Sequence, residues 1–154
     1  MIFVNRFWRE MCYHYSEQLI AEGDIRKAAS YALVSGRKDR AVEIFSNQNL
    51  LRESVALSRC LYDDDSAPVR ESLSLWAAKA TQDGNLELAA KCHLANRDVA
   101  EAARTLARRS DTASLKLSAD LANSAGLDQL AAAYLHRVTE MDQIVQDVGE
   151  VLLW

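Results

Sequence analysis

The side chains best suited to metal binding or acid–base catalysis are three histidines, because an imidazole ligates metals and titrates near neutral pH. They stand at His14, His93 and His136. None belongs to an H-x-x-x-H or E-x-x-H pair, and the chain has no C-x-x-C motif, so the spacing typical of a metal site is missing. We predict partly buried structural histidines, with no metal and no cofactor.

The cysteines offer a second route to catalysis, because a thiolate beside a histidine can act as a nucleophile. Cys12, Cys60 and Cys92 are odd in number and far apart, which favours reduced thiols in an intracellular protein over disulfides. A Cys–His nucleophile also needs an orienting group and an oxyanion site, which a sequence does not show. We therefore predict that the chain is not an enzyme, and a convergent Cys or His site stays as the remote alternative.

Phosphate, cation and RNA sites are also poorly supported. The five glycines do not cluster into a phosphate-binding loop, and the aspartates at 63–65 lack the alternate spacing of a calcium loop. RNA binding needs a basic patch, whereas this chain has a net charge of −4 and interleaves its basic residues with acidic ones. We predict a solvated loop at 63–65, a solvated helix face at Arg104, Arg108 and Arg109, and no tight RNA binding by the chain itself.

Aromatic side chains can also serve as stacking platforms for nucleic-acid bases. In this sequence they occur singly along apolar stripes, which is typical of residues that pack in a core. We predict core packing for six of them: Trp8, Tyr13, Tyr15, Tyr31, Trp76 and Tyr134.

The elements that must position all these side chains are helices. Alanine (24) and leucine (20) far outnumber the 19 β-branched residues, and one proline and five glycines leave few helix breakers. Apolar residues recur at helical spacing, as at Val99, Ala102, Ala103 and Leu106. No run of about 18 apolar residues occurs. We predict an all-α chain that does not enter a membrane.

The periodicity predicts about ten helices that pair as antiparallel hairpins. One of them begins after Ser66, a suitable N-cap, with Pro68 in its first turn. The expected ranges are 6–21, 25–35, 37–47, 49–62, 67–82, 85–95, 98–109, 112–125, 127–140 and 141–153. The apolar ending at 151–154 indicates that the chain is a segment of something longer.

A short frame repeats three times along the chain. It consists of a glycine followed by two alanines five and six residues later, and it starts at Gly23, Gly84 and Gly126. The glycine suits a turn, and the small residues let a neighbouring helix approach closely. The intervals of 61 and 42 residues are unequal, whereas a strict tetratricopeptide array repeats every ~34 residues. The pattern predicts an irregular helical solenoid.

Several blocks, in register over roughly residues 8–140, carry a resemblance to a known family. They are AEGDIRKAASY at 21–31, AVEIF at 41–45, LELAAKCHL at 86–94, and Ala102-Ala103 with Asp111 and Ala113-Ser114-Leu115. These blocks resemble the tetratricopeptide-like (TPR-like) module of the Gemin-five family. The aspartate-rich loop and the stretch after Met141 resemble the family less.

The resemblance implies a non-catalytic role in RNA processing. In that family WD-repeat domains bind small nuclear RNA, a middle helical module self-associates, and a C-terminal region adds RNA binding and translational control. Residues 1–154 are then expected to form a single TPR-like dimerisation module, a fragment of a longer multidomain protein of the survival-of-motor-neuron (SMN) complex. Such a protein acts in small nuclear ribonucleoprotein (snRNP) assembly, mRNA splicing and translation.

The expected partners follow from that role. They are a second copy of the chain, SMN-complex proteins through the full-length protein, and RNA only through flanking domains. The expected location is the cytoplasm, with nuclear bodies left open as a second one. The alternative from a different class is a monomeric helical-repeat domain that binds a peptide in its groove.

The helix expected at 112–125 is apolar around most of its circumference. At about 100° per residue, one apolar face holds Ala113, Leu117, Leu121 and Ala125, and another holds Leu115, Ala119 and Ala122. A second apolar face needs a second neighbour, which is either a further helix of the same chain or the same patch on another copy.

We predict the second of these neighbours. The dimer interface is then expected at Leu115, Ala119, Ala122 and Leu121. In that arrangement Ala119→Glu would place a charge against the partner copy, and the variant would be a folded, helical monomer.

Overall fold

The computed structural model describes the backbone of residues 2–151 and the side chains of residues 5–148. Over the described backbone the chain forms nine α-helices and no β-strand, which confirms the all-α prediction. The helices are α1 Ile2–Glu22, α2 Ile25–Val34, α3 Lys38–Asn47, α4 Leu51–Leu61, α5 Ala67–Gln82, α6 Leu86–Ala95, α7 Val99–Ala107, α8 Thr112–Ser124 and α9 Asp128–Val151.

The described chain has one helix fewer than predicted, because α9 runs unbroken where we expected a break after residue 140. No glycine or proline interrupts residues 128–148, and Val138, Met141 and Val145 keep helical spacing across the expected break. The Thr139 hydroxyl donates to the carbonyl of His136 at 2.7 Å, as a residue inside a helix does, and does not cap a new one.

Seven of the eight connections share one backbone geometry. Each contains a residue with a left-handed, positive φ, which is costly for any residue except glycine. Four of them are Gly23, Gly36, Gly84 and Gly126, with φ of 72–86°, and three are Asn49, Arg97 and Ser110, with φ of 56–62°. These residues recur every 13 positions from 23 to 49 and again from 84 to 110. The repeating unit is therefore one short helix with its turn.

The fifth residue after each of these turn residues is buried. At these positions the exposed fraction is at most 1%: Ala28, Ala41, Ser54, Ala89, Ala102, Leu115 and Ala131. Five of the seven are alanine, so consecutive helices approach closely at this point. Leu115 is the one large side chain that occupies the position.

Side chains cap the first turns of α2, α6, α7 and α8. The carboxylates of Asp24, Asp98 and Asp111 and the amide oxygen of Asn85 accept backbone N–H groups in the first turn of α2, α7, α8 and α6. The cap expected from Ser66 is not made by its side chain. Its carbonyl accepts the N–H of Arg70 at 3.1 Å, while its hydroxyl makes no hydrogen bond to a described residue.

The chain divides into two compact units after Leu75. In the first unit α1 packs on α2, α2 on α3 and α3 on α4, around Leu19, Ile44 and the alanines of α2. In the second unit α6 packs on α7, α7 on α8 and α8 on α9, around Leu115, Tyr134 and Val138. Within each unit these helices therefore pack against their neighbours in sequence, as short connections between antiparallel helices require.

Candidate interaction surfaces

Three of the four residues expected at a dimer interface lie in the core of the second unit. Leu115, Ala119 and Ala122 are 0% exposed, and they cluster with alanines of α7 and with Tyr134 of α9. The fourth, Leu121, is half-buried between this core and a smaller one. The second neighbour of this face is thus α9 of the same chain. The expected placement is corrected, because the three buried residues have no surface left for another copy.

The other apolar face of α8 is open. Ala113 is exposed and Leu117 is 52% exposed, and both line a groove of about 350 Å³ with Leu121. Leu94 of α6, 39% exposed, and Leu106 of α7 complete its apolar lining. The inference of two apolar faces on this helix is therefore right, but the face that the chain covers is the one we expected to be free.

Charged side chains surround this groove and pair with one another. Lys91 Nζ lies 2.7 Å from Glu87 Oε1, Arg109 Nη1 lies 3.4 Å from Glu87 Oε2, and Arg109 Nε lies 3.1 Å from Asp111 Oδ2. The hydrogen bond from Lys91 lowers the pKa of Glu87, and hydrogen bonds from Ser114 lower the pKa of Asp111. Both carboxylates stay ionised at neutral pH, so the rim carries two charges of each sign.

A second exposed apolar surface lies on α1 and α2 of the first unit. Phe7, Met11 and Tyr15 follow one another at four-residue intervals along α1 and are 71%, 54% and 43% exposed. The ring of Tyr15 meets the ring of Tyr31 edge-on, with centroids 4.8 Å apart. The aromatic patch, as we call it, comprises Phe7, Trp8, Met11, Tyr15, Tyr31 and Val34.

This patch corrects part of the prediction that the aromatic side chains pack in the core. Tyr134 is buried as expected, and Tyr13 and Trp76 are half-buried. The exposed exceptions are Trp8, Tyr15 and Tyr31. The reason is that α1 and α2 meet through small residues: Ser16 is buried and its hydroxyl donates to the carbonyl of Ala28 at 2.7 Å. Such close packing leaves the large rings outside.

The histidines lie far apart in the sequence on different helices and are mostly solvated. His14 and His136 are exposed, which corrects the expectation that they are partly buried, and His93 is half-buried as expected. His136 Nδ1 lies 3.4 Å from Glu140 Oε1, an exposed contact one helical turn away. In the part of the chain that the structure describes, no three His, Cys, Asp or Glu side chains group as metal ligands would.

The three cysteines are free thiols in the structure. Cys12 and Cys92 are buried and Cys60 is exposed. Burial raises the pKa of the Cys92 thiol, so the nucleophilic thiolate is disfavoured there.

The two charged segments of the sequence behave as solvated surface. Asp64 in the α4–α5 connection pairs with Arg59 at 3.2 Å, and Arg104 pairs with Glu101 at 3.2 Å. Arg104 is exposed on α7, as predicted, whereas Arg108 and Arg109 are exposed in the turn that follows the end of this helix at Ala107. None of the helices described between residues 2 and 151 has both the length and the apolar composition needed to cross a bilayer.

Residues 2–148 match the family model described as the GEMI5 TPR domain. The chain belongs to this family. The match confirms the resemblance and the TPR-like solenoid fold class. It also covers the aspartate-rich loop and the stretch from Met141 to residue 148, the two regions whose sequence resembles the family less.

Relatives of this TPR domain are long proteins. The chain is 33% identical to Gem-associated protein 5 of Mus musculus and 29% identical to that of Homo sapiens, each over 126 residues, 82% of this chain. It is 32% identical to Component of gems protein 5 of Dictyostelium discoideum over 91 residues, 59% of this chain. The matched segments span only 7–8% of the length of these relatives.

Proposed function

We propose that this TPR domain is a non-catalytic scaffold that self-associates as a homodimer within a larger RNA-binding protein of the SMN complex. Membership of the GEMI5 TPR domain family and the names of the relatives, which refer to gems, support the assignment to that complex. Assembly of snRNPs, mRNA splicing and control of translation are the processes in which such a protein would act. The proposed location is the cytoplasm, with gems as nuclear bodies in second place.

The observation that carries the proposal is the apolar surface that each unit leaves open. Single exposed apolar residues are ordinary on a protein surface, whereas contiguous ones mark interaction sites. The second unit exposes Leu94 and Leu117 at an apolar groove, and the first unit exposes the aromatic patch. Burying such surface against another chain is favourable, which suits a scaffold.

The charges of the chain support RNA binding through flanking domains instead of through this one. The net charge is −4, and two exposed arginines, Arg104 and Arg109, already pair with Glu101, Glu87 and Asp111. A dimer would still strengthen RNA binding by the whole protein, because joining two copies raises the effective concentration of the attached RNA-binding domains.

The same groove favours a second candidate, a monomeric helical-repeat domain that binds a peptide. Its volume of about 350 Å³ and its apolar lining suit one or two apolar side chains of an extended or helical partner segment. The two candidates differ in the mass of the chain alone in solution.

Sedimentation equilibrium over about 1–100 µM separates them, since this range spans contacts of micromolar affinity. We expect a mass of two chains, each of 17.2 kDa. A single-chain mass at every concentration would contradict the homodimer and leave the peptide-binding domain. Sub-micromolar binding of small nuclear RNA to the isolated chain at physiological salt would contradict the assignment of RNA binding to flanking domains.

A further inference from the structure

We propose that the aromatic patch, together with a basic cleft beside it, binds an acidic amphipathic helix of a different protein. The basic cleft has a volume of about 510 Å³ and lies between the first half of α1 and the α2–α3 connection. Its lining includes Arg6, Arg9, Glu10, Ser35, Gly36 and Arg37. The inference adds a second kind of partner to the proposed scaffold and does not depend on the homodimer.

The residues of this surface are of the types that protein interfaces favour. Interfaces are enriched in aromatic residues, methionine and arginine. Phe7, Trp8 and Met11 of the patch are each more than half exposed. Arg6 precedes Phe7 and Arg9 follows Trp8 within one turn of α1, so the patch and the cleft adjoin. An exposed apolar surface of this extent marks an interaction site.

The basic cleft carries more positive charge than its own acid neutralises. Arg37 Nη2 lies 3.0 Å from Glu10 Oε2, and the Arg37 guanidinium lies 3.7 Å from the centroid of the Tyr13 ring. Arg6 and Arg9 are exposed and form no ion pair with a described acidic side chain. Three arginines and one glutamate give the lining a net charge of +2. Charge complementarity therefore favours a partner that brings carboxylates to this end of the patch.

The shape of the patch favours a helical partner. Phe7, Met11 and Tyr15 follow one another at four-residue intervals and extend about 12 Å along α1. An amphipathic helix laid along α1 presents its own apolar side chains at the same spacing. The backbone described from residue 2 to 151 contains no β-strand whose edge an extended peptide could join.

The same surface is less suited to single-stranded RNA. Such sites combine free aromatic ring faces with a basic groove that follows the nucleic-acid backbone. Here the rings of Tyr15 and Tyr31 meet edge-on at 90°, so each ring occupies part of the other. The arginines of the cleft lie at one end of the patch, and Lys27 near the tyrosines already pairs with Asp24 at 2.6 Å. This distribution fits a helix with carboxylates at one end.

The test uses a designed probe and the whole chain. The probe is a fluorescein-labelled helical peptide of about four turns, with leucines at four-residue intervals on one face and glutamates in its first turn. We expect a dissociation constant on the order of 10–100 µM by fluorescence anisotropy. The same peptide with lysines in place of the glutamates should bind at least ~10-fold more weakly.

Variants of the chain locate the bound peptide. Arg9→Glu repels the glutamates and Met11→Glu interrupts the apolar stripe, so each should weaken binding at least ~10-fold. The matched controls are Arg26→Glu, at an exposed arginine of α2 outside the cleft, and Leu135→Glu, at a 45% exposed leucine of α9. Both controls should leave the dissociation constant unchanged. If Met11→Glu loses its helical circular dichroism, Met11→Ser gives the same comparison without a charge.

The outcomes are distinct from those that test the homodimer. No binding of the acidic peptide up to ~1 mM, or equal binding of the lysine peptide, overturns the inference. So does tighter binding of a single-stranded oligouridylate, which would make the surface a nucleic-acid site. A dimer that dissociates in Arg9→Glu and Met11→Glu would show that a second copy occupies the patch, and would also overturn it. A chain that is monomeric yet binds the acidic peptide at this surface contradicts the homodimer and supports the inference.

Discussion

One apolar face of α8 is closed by its own chain and the other is open, although both consist of alanine and leucine. The closed face holds Leu115, Ala119 and Ala122, and the open face holds Ala113 and Leu117. The difference lies in the neighbours. On the closed side α9 supplies Ala131, Tyr134 and Val138, which fill the space beside α8. The sequence shows that α8 has two apolar faces. Which of the two faces the chain buries depends on the helices that pack beside α8.

Leu115 and Leu117 also differ in their position relative to the turn residue that precedes α8. Leu115 lies five residues after the turn residue Ser110, at the point where six other helices also bury a side chain. Leu117 lies two residues further on, about 200° away around the helix. The repeat geometry therefore fixes which leucine enters the core.

The largest expected effect is that of Ala119→Glu, which tests the closed face. Ala119 is 0% exposed, so the carboxylate would be buried among alanines and Leu115 with no described partner. We expect a loss of at least ~3 kcal/mol of unfolding free energy, measured by urea denaturation with circular dichroism. This expected loss of stability replaces the prediction from sequence that the Ala119→Glu variant is a folded, helical monomer. A variant as stable as the wild type would show that the closed face is not core.

The next largest effect is expected when Leu115 and Leu117 are each truncated to alanine. Leu115→Ala removes a fully buried side chain and should cost about 3 kcal/mol, because it leaves a cavity. Leu117→Ala removes a side chain that is 52% exposed and should cost less than ~1 kcal/mol. Both are measured in urea at a concentration where the chain is monomeric, since a dimer contact also contributes to stability. Equal losses would show that the groove face is packed within the chain.

Much of the fold could be predicted because its signals are local. The 3.6-residue stripes of α7 and α9 and the turn glycines lie within single helices and their caps. The 13-residue spacing of the turns escaped detection because Asn49, Arg97 and Ser110 occupy three left-handed positions without being glycine. The glycines that begin the Gly/Ala-Ala frame stand at only three of the seven turns, so the intervals between them are unequal, at 61 and 42 residues.

The interaction surfaces were harder to predict because they depend on tertiary contacts. The open face of α8 was visible on the helical wheel, but Leu94 joins it only through the packing of α6 and α8 on α7. The aromatic patch also had a signal, the four-residue spacing of Phe7, Met11 and Tyr15. Its exposure depends on the small residues of α2, which bury the other side of α1 and leave this one outside.

A smaller effect tests the turn that follows α8. Gly126 has a φ of +72°, and an added Cβ would meet nothing within 4 Å, so Gly126→Ala causes backbone strain without a clash. We expect a loss of about 1 kcal/mol in unfolding free energy. Ser110→Gly, at the turn before α8, relieves the same strain but loses the hydrogen bond from Arg137 at 3.2 Å, so its gain should be smaller than the loss at Gly126. A neutral Gly126→Ala would contradict the shared turn geometry.

The smallest effect concerns the carboxylate of Asp111, which caps the first turn of α8. The Ser114 hydroxyl and N–H donate to it at 2.7 and 2.9 Å, and these bonds, with the nearby Arg109, lower its pKa below the usual 3.8. A pKa lowered by folding means that the ionised form stabilises the fold. This contribution is present above pH ~4 and is lost as the pH falls through the folded pKa.

Asp111→Asn keeps a capping oxygen but removes the charge. The wild type should therefore be more stable than Asp111→Asn in urea at pH 7, and the difference should shrink in acid. A difference that stays constant from pH 7 to pH ~2 would mean that the cap does not depend on the charge.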